Sequence, residues 1–191
     1  MPRSSAADAA ETARIILAVA TARFAEHGYA STSIEDIANA ADVTRGAVYH
    51  HYASKPGLFE AVASGLQLQV ADAIESAAAN SDPPEALRAG SHAFLDAITA
   101  ARTARILLVD APAVLSWAKW RRMDDEGSAA HLRDALRAIG LPSGPAAATA
   151  AALSGAMNEL ALWISERPSE ASSRRRAHEA LDALLDAVAP L

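Results

Sequence analysis

The chain has no cysteine. That excludes a disulfide scaffold, a thiol redox switch and any cysteine-based zinc site. Aromatic residues are scarce, three each of Trp, Tyr and Phe among 191 residues, so each one present is informative. Glycine and proline are few, and no alternating run of β-branched residues occurs, which leaves little material for a sheet. Long apolar runs are missing too. The stretch Ile15–Ala22 could pass for the core of a signal peptide, but Asp8 and Glu11 precede it, Arg14 and Arg23 bracket it, and it is too short to span a bilayer. Residues 145–164 are apolar but alanine-rich and are interrupted by Gly155, Asn158 and Glu159, as in a tightly packed soluble helix. A cytoplasmic protein with no membrane partner is the expectation.

Positive charge is also in short supply. The formal net charge is −6. Residues 1–55 carry Arg3, Arg14, Arg23, Arg45 and Lys55 against Asp8, Glu11, Glu26, Glu35, Asp36 and Asp42. No basic patch exists there to hold nucleic acid by bulk electrostatics, so affinity for DNA would rest on a few placed donors, helix termini and dimerisation. With 51% hydrophobic residues the chain can bury a sizeable core. Abundant alanine at helical spacing makes the fold class all-α.

Against this background residues 32–59 stand out. Thr32 with Glu35, and Ser33 with Asp36, sit at capping-box spacing. Ile34, Ile37, Ala38 and Ala41 recur with helical period. A turn follows near Ala41-Asp42-Val43, and Thr44 can cap a second helix that carries Arg45, Tyr49, His50 and His51. Two short helices around a tight turn are the sequence form of a helix-turn-helix, whose second helix enters the DNA major groove. Ser54 can cap a further helix, with Pro56 tolerated in its first turn.

The run Gly28-Tyr29, Thr32-Ser33-Ile34, Asp36-Ile37-Ala38, then Val43 through Tyr52, Ser54-Lys55 and Leu58-Phe59, closely resembles the N-terminal domain of the TetR (tetracycline-repressor) family. The resemblance covers roughly residues 10–62; the remainder is similar to the family in helix number and length. It implies a homodimeric, all-helical transcriptional regulator that releases DNA when a small molecule binds its C-terminal domain. Two positions depart from the family pattern. Asp42 stands where glycine is common, and Pro56-Gly57 replaces a helix-forming pair, which predicts a looser helix start.

Arg45 is the prime candidate for reading bases, since arginine pairs with guanine O6 and N7. Thr44 can join capping to a phosphate contact, and Gly46 permits close approach of the backbone despite costing about 1 kcal/mol in a helix. Tyr49 and His50 are expected on the phosphate backbone, with His51 and Tyr52 turned inward. Adjacent histidines point about 100° apart and are not expected to hold a metal. Lys55, one of two lysines in the chain, opposes the dipole at the start of its helix, a sign that reverses if a phosphate lies across Ser54 and Lys55. Thr32 and Ser33 complete the expected DNA-contacting set.

Asp82-Pro83-Pro84 is the clearest break. Helices are predicted over Ala7–His27 with Gly28 as a stop, onward from Ser54 to about Asn80, over 84–102, briefly to Asp110, over 112–139, 145–166 and 169–189, separated near Pro168. With the helix-turn-helix pair this makes about nine helices in two domains, a head at 1–52 and a larger helical bundle at 53–191. Phe94, Ile98, Trp117, Trp120, Met123, Leu153, Met157 and Asn158 are candidates to line a ligand cavity, with Asp110, His131 and Glu159 as minor polar contributors. Through the resemblance, Ala151 and Gly155 together with Leu181, Leu184, Leu185 and Val188 would form a four-helix dimer interface. No phosphate-binding glycine loop, nucleophile elbow, His-Glu-x-x-His or metal-spaced carboxylate pair is present, so neither a cofactor nor an enzymatic role is expected. A helical small-molecule-binding protein or enzyme without DNA binding is the alternative.

Overall fold

Capping and apolar periodicity translate directly into helix. A computed structural model describes residues 6–100, 103–167 and 171–188. Helix α1 runs Ala6–Ser31, α2 Ile34–Ala40, α3 Arg45–Tyr52, α4 Lys55–Ala78, α5 Pro83–Thr99, α6 Ala111–Val114, α7 Trp117–Glu126, α8 Ser128–Ala138, α9 Ser143–Ser165 and α10 Ala171–Val188. A π-helical turn, Arg105–Asp110, leads into α6. The described residues contain no strand. No described helix is long and apolar enough to cross a membrane.

Helix α4 is the spine. Leu58, Phe59, Val62, Ala63, Leu66, Val70 and Ile74 are buried along it, so it packs on α1 at one end and on α5 and α8 further along. At the head end Phe24, Tyr29 and Phe59 form an aromatic cluster, with Phe59 edge-on to Phe24 at 5.2 Å and to Tyr29 at 5.0 Å between centroids. Gly28 breaks α1 as expected, at φ 80, a conformation only glycine adopts freely. The bend lets the body grip the end of α1: Arg105 reaches the carbonyl of His27, and Asp110 accepts the Tyr29 N–H at 3.0 Å.

One predicted helix proves to be three. Residues 112–139 divide at Ser116 (φ 71) and at Gly127, where a Cβ would lie 3.2 Å from the Met123 carbonyl. The breaks let Trp120 turn into the core and donate its indole N–H to the Leu107 carbonyl at 2.7 Å, while Leu132 and Leu136 are buried from a separate axis. The π-turn has a local cause as well. Pro112 has no N–H to give Leu108, and Ala111 instead donates five residues back, to Ile106. The boundary expected near Pro168 lies outside the described residues.

Helix α10 is clasped to α5 by an ionic chain. His92 and His178 meet Nδ1 to Nδ1 at 2.6 Å, their Nε2 atoms face Asp182 and Asp96, Arg88 pairs with Asp182 and Asp186, and Arg174 pairs with Asp96. Burial works against ionisation of Asp182, yet its bonds with His92 and Arg88 hold that carboxyl below its ordinary range.

Candidate nucleic-acid interface and body cavity

The head is fixed by caps and by a buried stripe. Ser33 caps α2: its Oγ accepts the Asp36 N–H at 3.0 Å, and the Asp36 carboxylate accepts the Ser33 N–H at 2.9 Å and the hydroxyl at 2.6 Å. Those bonds from Ser33 hold the Asp36 carboxyl below its ordinary range. Thr44 caps α3 through the Ala47 N–H at 3.1 Å, and Ser54 caps α4 through the Gly57 N–H at 3.0 Å. Ile34, Ile37, Ala38 and Val48 are buried, which fixes α3 against the rest of the head. Asp42 takes the left-handed turn conformation at φ 53, a geometry aspartate tolerates better than most residues.

With Val48 inward, Arg45, Gly46, Tyr49 and His50 share the outward face of α3, and Thr44 and Ser54 are exposed at its two ends. Arg45 has one weak neighbour, the Glu35 carboxylate at 3.7 Å, both groups being largely solvated. A Cβ on Gly46 would meet nothing but the Thr44 hydroxyl at 3.7 Å, so no contact within the chain requires glycine there. Lys55 holds its Nζ 4.1 Å above the Tyr29 ring, an arrangement that orients the ammonium without neutralising it. Ser33, Arg45, Tyr49 and Lys55 border one shallow depression. His51 is half-buried, and Tyr52 donates its hydroxyl inward to the Ala13 carbonyl at 2.7 Å.

Thr32 departs from expectation. It is 2% exposed, and its hydroxyl donates to the Gly28 carbonyl at 2.9 Å. Its hydroxyl is thus engaged in stitching the bend of α1, although the residue also borders the depression shared by Ser33, Arg45, Tyr49 and Lys55. Gly57 corrects a second expectation: a Cβ there would sit 2.4 Å from the Tyr52 carbonyl. Glycine is what permits the tight α3–α4 turn, so it is a requirement and not a source of looseness. Among the described residues no group of three or more potential metal ligands converges.

In the body a cavity of about 290 Å³ lies between α4, α5, α8 and α9. Phe94 and Met157 line it, as does His131. The other aromatic candidates do not. Trp117 is 64% exposed and leans on Trp120 at 4.7 Å between centroids, because the break at Ser116 carries it to the outside. Trp120, Ile98 and Leu153 are core residues, and Met123 packs at the core's edge. Asn158 has a buried Oδ1 without a hydrogen-bond partner, but it is not part of the cavity wall. Asp110 belongs to the joint with α1, and Glu159 is exposed. The polar lining residues missed by sequence reading are Glu75, Ser91 and Ser128. They lie on three helices whose adjacency no local pattern records.

The dimer candidates divide. Ala151 and Gly155 lie on an exposed face of α9, where a Cβ on Gly155 would meet nothing within 4 Å. Leu184 is exposed on α10, but Leu181 and Leu185 are buried within the chain and Val188 packs against its core. Three of the four residues of that stripe are intramolecular because α10 must first cover α5 and α9.

A capped helix-turn-helix set on a larger helical bundle with its own apolar cavity defines a class of one-component regulators. Comparison with known proteins narrows it. Residues 84–188 match the family model described as tetracyclin repressor-like, C-terminal domain, and residues 16–62 match bacterial regulatory proteins, tetR family. The chain belongs to the TetR family. The probable acrEF/envCD operon repressor of Escherichia coli (strain K12) is 44% identical over 59 residues, 31% of this chain and 27% of that protein. The chain thus matches about a quarter of that relative's length. A TetR-family transcriptional regulator from Pectobacterium atrosepticum superposes with a TM-score of 0.74 at 29% identity, over 97% of each chain. A transcriptional regulator from Rhodococcus sp. Rha1 does so with a TM-score of 0.75 at 26% identity, over 92% of this chain and 95% of that one. The family is one of transcriptional regulators and not of enzymes.

Proposed function

We propose that the chain is a ligand-responsive DNA-binding regulator, a repressor that acts in the cytoplasm as a homodimer on a near-palindromic operator. Residues 1–52 form the reading head and 53–191 the effector and dimer domain. The observation that carries this reading is the outward face of α3. Arg45, Tyr49 and His50 are presented to solvent by a helix whose opposite side is buried and whose N-terminus is capped, and Gly46 clears the backbone between them. That is the arrangement a recognition helix needs to meet base edges with its first turn. Ser54 and Lys55 at the start of α4 supply a phosphate contact beside it.

The exposed small face of α9 around Ala151 and Gly155, with Leu184 of α10, supports the pairing of two chains. An apolar, ring-containing effector in the body cavity would release DNA by linkage, since a ligand that favours one head spacing weakens binding to an operator that favours another.

Operator selection from random duplexes, followed by titration, tests the assignment. Arg45→Ala should cost about 1–3 kcal/mol at one base pair and relax specificity there. Lys55→Ala should weaken all sequences alike and lower the salt dependence. If no duplex is selected, the chain is a ligand carrier without DNA binding. If both variants bind a selected operator like the parent, α3 is not the reading helix.

A further inference from the structure

The wall of the body cavity has a charge pattern that restricts what it can hold. Its α9 side is apolar and its α5 side largely so, with Leu87, Phe94 and Met157 facing Ile74 of α4 and the one α5 hydroxyl, Ser91, donating back to the Leu87 carbonyl at 2.7 Å. The other polar groups lie along the edge where α8 meets α4. Ser128 and His131, one helical turn apart on α8, share that edge with Glu75. Ser128 is 7% exposed, and its Oγ has no hydrogen-bond partner among the described residues. It stands at the start of a helix that no side chain caps. A buried hydroxyl without a partner costs free energy until something supplies one.

Among the described residues no lysine or arginine lines the cavity. Its single base, His131, already faces Glu75, Nε2 to Oε1 at 3.6 Å. Even with the imidazole protonated, that pair carries no net positive charge.

We infer that this cavity takes lipophilic amines and neutral hydroxyl compounds and rejects carboxylates. This rests on the reading of the cavity as the effector site. The hydrophobic body of such a ligand would lie against α5 and α9, and its one polar group along the α8–α4 edge, bonding with Ser128 or Glu75. A carboxylate entering the same way would lose water next to Glu75 with no cation to receive it, and an unpaired buried charge is strongly disfavoured. An ammonium meets the opposite field. Its gain is modest, because Glu75 is largely solvated and exposed ion pairs are screened.

Three eight-carbon probes test the assignment against the full chain by calorimetric titration: octan-1-amine, octan-1-ol and octanoate. Octanoate should bind at least ten-fold more weakly than octan-1-ol, and octan-1-amine up to about three-fold more tightly. Glu75→Gln, a change at the exposed rim that leaves the core intact, should erase the amine's margin and narrow octanoate's deficit by about the same factor, up to about three-fold, leaving the desolvation cost of the carboxylate in place. Ser128→Ala should weaken octan-1-ol several-fold. Ala135→Phe, which fills the cavity, should abolish binding of all three. Octanoate binding the parent chain as well as octan-1-ol overturns the charge selection and leaves the cavity as a ligand site. An unchanged ranking in Glu75→Gln overturns the role given to that carboxylate. Probes that still bind Ala135→Phe, or that never bind the parent chain, overturn the cavity itself as the site.

Discussion

Asp124 is the residue whose environment disagrees most with its chemistry. It is 3% exposed on α7, and burial pushes its carboxyl above the ordinary value, with Arg121 at 3.5 Å offsetting part of the effect. A group whose folded value is raised contributes stability below the unfolded value and loses it as pH rises through the folded one. Asp124→Asn keeps the shape and the neighbourhood of Ser154 but removes the penalty. The variant should match the parent in thermal stability below about pH 3, under the unfolded carboxyl's range, and exceed it increasingly as pH rises through the raised value of the folded state, up to about pH 8. Equal melting curves across that range would mean that Arg121 compensates the buried charge in full. Asp36 is the converse case, a carboxylate kept ionised by the bonds of a helix cap, and the sequence spacing already announced it. Thr32 carried the same spacing signal with Glu35, yet its hydroxyl is buried against Gly28. A cap motif records which groups can bond, not which of two candidates the bend of α1 leaves exposed.

Among the elements, the joint between the π-turn and α1 ties body to head through side-chain bonds. Asp110 holds the Tyr29 N–H, Arg105 reaches both Asp110 at 4.0 Å and the His27 carbonyl, and the Tyr29 ring lies beneath Lys55. A tilt of α4 or a shift of the π-turn would therefore be felt at the Lys55 ammonium, the proposed phosphate contact. Asp110→Asn weakens that joint without touching α3 or the cavity. It should leave effector affinity and effector-free operator affinity within about two-fold, while reducing the coupling between them from the usual range of about 1–3 kcal/mol. Operator titration with and without a cavity ligand measures this, and undiminished coupling would assign the transmission to α4 alone. The helices themselves were legible in the sequence wherever a cap or glycine marked an end. They were not legible between Pro112 and Ile139, because the breaks at Ser116 and Gly127 answer to the burial of Trp120 and Leu132, contacts that local periodicity does not contain.

For the molecule as a whole, the uncovered surface on α9 and α10 is the face proposed to pair two chains. Charging Leu181 or Leu185 would unfold the chain, since both are buried within it. The discriminating variants are Gly155→Glu and Leu184→Glu, which place charge where one chain has open space. Each should keep the parent's helicity and melting cooperativity, turn a dimer into a monomer in sedimentation, and lower operator affinity at least ten-fold, because two half-sites are then bound independently. A dimer that persists in both variants would move the contact to another face.

The sequence by itself determined the reading head: all-α class, two capped helices at fixed spacing, an inward apolar stripe and an outward Arg45, Tyr49 and His50. Each of these depends on residues within one or two turns of one another, so period and capping chemistry are enough to specify them. The cavity, and which sides of α9 and α10 stay uncovered, came from the packing of the helices. Glu75, Ser128 and Met157 converge only because α4, α8 and α9 pack together, and Trp117 and Leu181 exchange their expected exposures because the breaks and crossings of the bundle settle which side of a helix is covered. Apolar character says that a side chain will be buried, and only the arrangement of neighbouring helices says against what.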